Sequence, residues 1–141
     1  KWDLASGTNV SAELYKDDMF MEFKDLQHYP ILFVSALTKR RVSNILEKAW
    51  ETFTKQREKL STKELNIWID KAVRNYPPPA TQGKSIKIKF VEQVQQSPPI
   101  FALFSNYPKL ISIQYLRYLH NQLRESFDLN GITIKFSLRK G

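Results

Sequence analysis

The side chains of this sequence that are best suited to chemistry are cations, and they recur at regular spacings in its second half. One set alternates with apolar residues, as on the polar face of two strands, and comprises Lys87, Lys89, Lys135 and Arg139. A second set has helical spacing and comprises Arg117, His120 and Arg124. Rows of this kind can neutralise the phosphates of a polyanion, so both are candidate contact surfaces.

The charge distribution points the same way. The 141 residues carry 22 basic and 14 acidic side chains, a net charge of +8. Residues 1–60 hold 10 basic and 9 acidic side chains, whereas residues 61–141 hold 12 and 5, so the net charges are +1 and +7. This asymmetry predicts a polyanionic partner for the second half, most often a nucleic acid, although a solvated basic surface explains the same numbers.

The composition excludes several other classes of site. There is no cysteine and there are only two histidines, so a disulfide scaffold, a thiolate zinc site and a cysteine nucleophile are ruled out. We predict neither catalytic nor metal-binding residues. The apolar runs are too short to span a bilayer and the first residues do not resemble a signal peptide, so we expect a soluble cytoplasmic protein without a membrane partner.

Residues 61–141 predict a small α+β layer. The segment STKE at residues 61–64 is typical of a capping box, and the helix that it opens ends before the prolines at 77–79. Residues 85–90 predict a strand with Ile86, Ile88 and Phe90 facing inward, and residues 100–104 and 132–139 predict two more. A helix ending near Phe127 lies between the last two. The order helix-strand-strand-helix-strand favours a three-stranded sheet with both helices on one face.

Residues 1–59 predict one buried strand, at 31–34, and two amphipathic helices, within 11–26 and 42–53. One strand cannot form a doubly wound sheet, so we expect this segment to be the C-terminal part of a larger α/β domain, followed by a second domain at 61–141. Four aromatic residues at burial periods are assigned to the core rather than to base stacking, namely Trp50, Trp68, Phe101 and Phe104.

Two short motifs in the first half resemble the last two nucleotide motifs of translation-factor-type GTPases. They are KWDL at residues 1–4 and SAL at residues 35–37. The resemblance implies a guanine-binding set that comprises Lys1, Asp3, Ser35 and Ala36. A carboxylate can accept two hydrogen bonds from guanine, for which adenine has no matching donors, and a lysine stem can lie along the base. Taken singly, Asp3 is better explained as a surface turn carboxylate and Ser35 as a hydroxyl on the side of a helix, but the two motifs together favour the guanine-binding interpretation.

Five segments of the second half carry a more specific resemblance, and they are STKELN (61–66), YPPP (76–79), SPPIFALFSN (97–106), YLRYL (115–119) and LRESF (123–127). Together with the first half, they resemble the C-terminal part of the Der (EngA) family, bacterial GTPases with two tandem GTP-binding domains and a KH-like C-terminal domain. The resemblance implies a P-loop GTPase domain before the KH-like domain and a role in assembly of the large ribosomal subunit. It also implies GTP or GDP and Mg²⁺ as cofactors of the longer protein, and rRNA and the other GTP-binding domains as partners.

The sequence also departs from that family's pattern. It contains no Gly-x-x-x-x-Gly-Lys-Ser/Thr phosphate loop, no switch segments, and no asparagine before Lys1. We therefore expect this chain alone to bind no cofactor tightly and to hydrolyse no GTP.

The four glycines are too far apart for the Gly-x-x-Gly loop with which KH domains clamp RNA. We instead expect the basic sheet face or the basic helix stripe to contact rRNA phosphates. Packing of that face on a GTP-binding domain, without RNA contact, and a stand-alone RNA-binding protein remain alternatives.

Overall fold

The structure, a computed structural model, describes residues 1–5 and 11–141. Within these ranges the chain divides into two compact units, Lys1–Thr54 and Lys55–Gly141. Each unit is described by itself below.

The first unit is mainly helical. Its helices are α1 (Trp2–Ala5), α2 (Ala12–Glu22) and α3 (Ser43–Gln56), with a 3₁₀ segment at Lys24–His28. Helix α2 begins after Ser11, whose Oγ accepts a hydrogen bond from the Leu14 backbone N at 3.1 Å. The helix predicted within residues 11–26 is present but ends earlier, so Phe23 and Leu26 lie beyond it.

Two predictions for this unit are wrong. Residues 31–34 form no strand, because a strand needs a hydrogen-bonded neighbour and the described residues offer only an isolated bridge between Ser35 and Arg40. Helix α3 is amphipathic, as predicted, but it buries none of its residues. Trp50 was assigned to the core and is instead 70% exposed.

The second unit contains α4 (Thr62–Asn75), β1 (Ile88–Gln95), β2 (Ile100–Ser105), a 3₁₀ turn (Pro108–Leu110), α5 (Ile113–Phe127) and β3 (Lys135–Lys140). The strands form one sheet in the order β1-β2-β3. A short turn joins β1 to β2, which pair antiparallel, whereas α5 returns the chain so that β3 runs parallel to β2. The predicted α+β class and element order are confirmed.

The core of this unit lies between the sheet and its two helices. Leu65 and Ile69 from α4 and Leu119 from α5 are buried in one cluster with Phe101 and Leu103 of β2. Trp68 belongs to the same cluster and is 7% exposed. Both helices therefore cover one face of the sheet, and the core assignments of Trp68 and Phe101 are confirmed.

Strand β1 contains a bulge that the sequence does not reveal. Ile88 pairs with Ser105 and Phe90 with Phe104, which leaves Lys89 as an extra residue. The bulge reverses the alternation, so the strand continues with Val91 and Gln93 facing the helices. The prediction that Phe90 faces inward is wrong, since this residue lies on the opposite, open face together with Phe104.

Side-chain amides, rather than a capping box, tie α4 to the sheet. Ser61 precedes the helix as predicted, but its side chain makes no capping hydrogen bond. Asn66 instead pairs with the outer edge of β1: Val91 N donates to Asn66 Oδ1 at 3.0 Å, and Asn66 Nδ2 donates to Val91 O at 3.1 Å. Gln93, which belongs to β1 itself, holds the segment before α4, because its side-chain Oε1 accepts from Leu60 N at 2.7 Å. The Asn66 amide thus occupies backbone groups at the edge that a fourth strand would otherwise take.

Two tyrosines of α5 hold the end of α4. Tyr115 Oη donates to the backbone O of Tyr76, and Tyr118 Oη donates to the backbone O of Ala72, both at 2.9 Å. Ala72 O already accepts from the backbone N of Tyr76 at 3.0 Å, so Tyr118 adds a second donor there, whereas Tyr115 bonds the carbonyl of the C-cap residue itself. Burial raises the pKa of both hydroxyls above the usual range, and for Tyr115 the neighbouring Tyr118 and Tyr76 raise it further.

We expect this arrangement to make the protein sensitive to alkaline pH. Above about pH 10 an unfolded tyrosine ionises while folded Tyr115 keeps its proton, so the free energy of unfolding falls as pH rises. Tyr115→Phe removes one such group, so the free energy of unfolding should decrease less steeply with pH, by up to about 1.4 kcal/mol per pH unit. Urea denaturation between pH 8 and 11 measures both slopes. Tyr107→Phe, at an exposed tyrosine, is the control. If the unfolding free energy of Tyr115→Phe fell as steeply with pH as that of the parent, this account would be contradicted.

Candidate functional site

The two motifs of the first unit meet although 32 residues separate them. Ser35 Oγ donates to Asp3 Oδ1 at 2.5 Å and accepts from the Thr38 backbone N at 3.2 Å. The Ser35 backbone N donates to Arg40 O at 3.2 Å, and the serine is almost completely buried. The turn after residue 34 therefore fixes a hydroxyl that in turn fixes the carboxylate of Asp3.

An aromatic cluster positions the first motif. The Trp2 ring lies 4.4 Å from that of Phe33 and 5.9 Å from that of Tyr15, measured between centroids. The Trp2 backbone N also donates to Val34 O at 3.0 Å. These contacts hold Lys1 and Asp3, the neighbours of Trp2, next to the Ser35 turn.

The chemistry of this pair suits a ligand with hydrogen-bond donors. The hydrogen bond from Ser35 is the main cause of a lowered pKa of Asp3, which partial desolvation opposes. The carboxylate is therefore an ionised acceptor at neutral pH, as recognition of the guanine donor pair requires. Lys1 in the first motif and Ala36 in the second are both exposed. The guanine role of these four residues stays a prediction.

The structure places the first basic set on the sheet face that the helices leave open. In β3, Lys135 and Arg139 pair with Ile100 and Phe104 of β2, the phase opposite to the buried Phe101 and Leu103. At the start of β1, Lys87 and Lys89 flank Ile88, whose side chain packs against the core. All four cations are exposed, and we call them the open-face cations: Lys87, Lys89, Lys135 and Arg139.

The predicted basic stripe on α5 is not one surface. Arg117 is exposed, but His120 is half-buried, with its ring edge-on to Phe136 at a centroid distance of 4.8 Å. Arg124 is only 5% exposed, and its Nη1 donates to Leu129 O at 2.8 Å. Arg124 thus stabilises the turn after α5, and its assignment as an exposed RNA contact is wrong.

Sequence reasoning missed an aromatic pair on the open face. The Phe90 and Phe104 rings stack with centroids 4.1 Å apart and planes inclined by 13°. Phe104 was assigned to the core but is only partly buried. The sequence offered only two phenylalanines in neighbouring predicted strands as a signal for this pair. Periodicity does not reveal the bulge that puts both rings on the same face.

A second missed feature is a cavity of about 570 Å³ beside the 3₁₀ turn. Lys84, Lys109 and Lys140 line it, and Lys84 Nζ lies 5.1 Å from the centroid of the Tyr107 ring. These residues come from three separate segments, so no local pattern could have grouped them.

Two further features are absent from the residues that the structure describes. In residues 1–5 and 11–141, no three histidine, aspartate or glutamate side chains are grouped so that they could hold a metal ion. Among those same residues, no helix is long and apolar enough to cross a membrane.

Comparison with known proteins identifies the second unit. Residues 59–139 match the family described as the KH-domain-like C-terminal domain of EngA bacterial GTPase enzymes. The chain is 41% identical over 140 residues to a protein named GTPase Der from Amoebophilus asiaticus (strain 5a2), covering 99% of this chain and 32% of that protein. It is 40% identical over 138 residues to the GTPase Der of Fusobacterium nucleatum, covering 97% of this chain and 31% of that protein.

The chain thus spans about a third of the length of these relatives. Its second unit, Lys55–Gly141, has the helix-strand-strand-helix-strand order and mixed sheet described above, and the matched region lies within it. Both the family match and the relatives, which extend over the first unit as well, lead to one conclusion: the chain belongs to the EngA (Der) family of bacterial GTPases.

Proposed function

We propose that this chain is the C-terminal part of a cytoplasmic GTPase that acts in assembly of the large ribosomal subunit, and that residues 61–141 dock on rRNA. The observation that carries the proposal is the grouping of the four open-face cations on one side of a sheet whose other side is occupied by helices. Such a surface can neutralise several phosphates at once, which is the main source of affinity for RNA.

In the same proposal, residues 1–59 complete the second GTP-binding domain. Asp3, held by Ser35, would accept from guanine, while Lys1 covers the base and the backbone of Ala36 contacts the guanine carbonyl. GTP or GDP with Mg²⁺ would bind in the longer protein, since this sequence has no phosphate loop. The remaining GTP-binding domains of that protein would be the second partner.

Co-sedimentation with purified large ribosomal subunits tests the RNA part of the proposal. We expect the chain to pellet with subunits at about 50 mM salt and to be released steeply towards about 200 mM, because displaced counterions drive phosphate binding. An absence of binding at both salt concentrations would refute docking by this chain. It would favour the alternative that the basic face packs on a GTP-binding domain.

A further inference from the structure

The open face of the sheet carries a three-layer stack that runs across its strands. Phe90 on β1 lies against Phe104 on the central β2, with centroids 4.1 Å apart. On the other side of Phe104, Arg139 of β3 places its Cζ 5.9 Å from the ring centroid. The order of layers is therefore Phe90, Phe104, Arg139, and it follows the strand order β1-β2-β3.

The first layer of this stack is exposed. Phe90 is 40% exposed, and the ring face turned away from Phe104 has no aromatic partner among the described residues. Phe104 and Arg139 support the ring from behind, so its orientation is fixed before any ligand arrives. A planar group that stacks on Phe90 would therefore immobilise little additional side-chain freedom.

Charge next to Phe90 is asymmetric. Lys87 and Lys89 precede it on the same face, whereas Glu92 follows two residues later and pairs with Ala102 on that face. An anionic chain passing over Phe90 would be attracted towards the lysine side and repelled at Glu92. A planar apolar ring with cations on one side combines the two elements that bind single-stranded nucleic acid: a stacking surface and phosphate contacts.

We propose that Phe90 stacks an unpaired RNA base while Lys87 and Lys89 contact the neighbouring phosphates. This inference rests on the proposed rRNA docking and narrows its target to a single-stranded segment, because the bases of a duplex are already stacked on one another. The contact surface is thus selective for exposed bases rather than for phosphates alone.

The test compares two labelled RNA strands of about eight nucleotides, one unstructured with ordinary bases and one abasic, by fluorescence anisotropy at low salt. Both present the same phosphates, but only the first can stack. We expect the 141-residue chain to bind the base-bearing strand roughly tenfold more tightly than the abasic one. Phe90→Leu should lower the affinity for the base-bearing strand to that for the abasic strand, whereas Phe90→Trp should preserve the preference.

The outcomes separate this inference from the proposal beneath it. Equal, salt-sensitive binding of both strands would overturn base stacking and leave phosphate docking intact. Binding of neither strand at low salt would overturn both and point to a protein partner for this face. Circular dichroism and thermal unfolding of Phe90→Leu verify that the variant is folded. Glu92→Gln provides an independent check, since removal of the repelling charge should tighten binding of both strands.

Discussion

Glutamine at all four open-face cation positions is expected to weaken binding to large-subunit RNA by about a hundredfold at low salt. Each cation that contacts a phosphate releases a condensed counterion, so the plot of log affinity against log salt should also become flatter. The magnitude of this slope should decrease by about 3, because each of the four phosphate contacts contributes about 0.7–0.9 to it. Sedimentation or anisotropy measured at several salt concentrations gives both quantities.

The matched control removes the same charges from other positions. Lys63, Lys71, Arg74 and Lys109 are also three lysines and one arginine, all exposed and none on a strand. Their replacement by glutamine changes the net charge equally, so it should reproduce only the nonspecific part of the loss. Equal effects of the two quadruple variants would show that total charge, and not the sheet face, determines binding.

Asn66→Ala should lower the free energy of unfolding of the second unit by about 3 kcal/mol. The substitution removes both hydrogen bonds to Val91, an almost fully buried residue, and the bond from Asn66 Nδ2 to Thr62 O at 2.7 Å. It leaves an amide and a carbonyl of β1 unpaired beside the core, which costs about 1–3 kcal/mol for each group that water cannot reach. Urea denaturation followed by circular dichroism measures the change.

Asn75→Ala is the control for that experiment. Asn75 is the last residue of the same helix and is exposed, so its loss should alter stability by no more than about 0.5 kcal/mol. If the two variants were equally stable, the side-chain amide of Asn66 would not be the anchor between α4 and β1.

Sequence periodicity predicted the second unit well because each of its helices and strands buries one face in the core and exposes the other. Ile132 and Ile134 are buried and Lys135 and Arg139 exposed, as the alternation requires. Trp68 and Phe101 are in the core for the same reason. The prolines after Tyr76 end α4 where expected, since they lack the amide that would continue it.

The errors arise where a residue's environment is set by a distant part of the chain. The spacing of Arg124 shows which side of α5 it occupies but not that the carbonyl of Leu129 turns back to meet it. The bulge at Lys89 depends on the register with β2, so the face of Phe90 could not be read from alternation alone. Trp50 has the spacing of a core residue, but a buried environment requires neighbours that the described residues do not supply.

For the candidate site, too, local motifs were predictable and contacts between distant segments were not. Motif resemblance singled out Asp3 and Ser35, which the structure joins by a hydrogen bond, because each motif is local and only their meeting is tertiary. The Phe90–Phe104 pair and the lysine-lined cavity were missed because no local segment contains them.

The two outer strands of the sheet differ in how they resist self-association. On β1, the amide of Asn66 occupies the backbone groups of Val91, which could otherwise template a strand from another molecule. Strand β3 carries charge instead, with Lys135, Arg139 and Lys140 repelling a second copy of the same strand. Lys135 and Arg139, two of the cations proposed to attract RNA, would then also protect this edge of the sheet from aggregation.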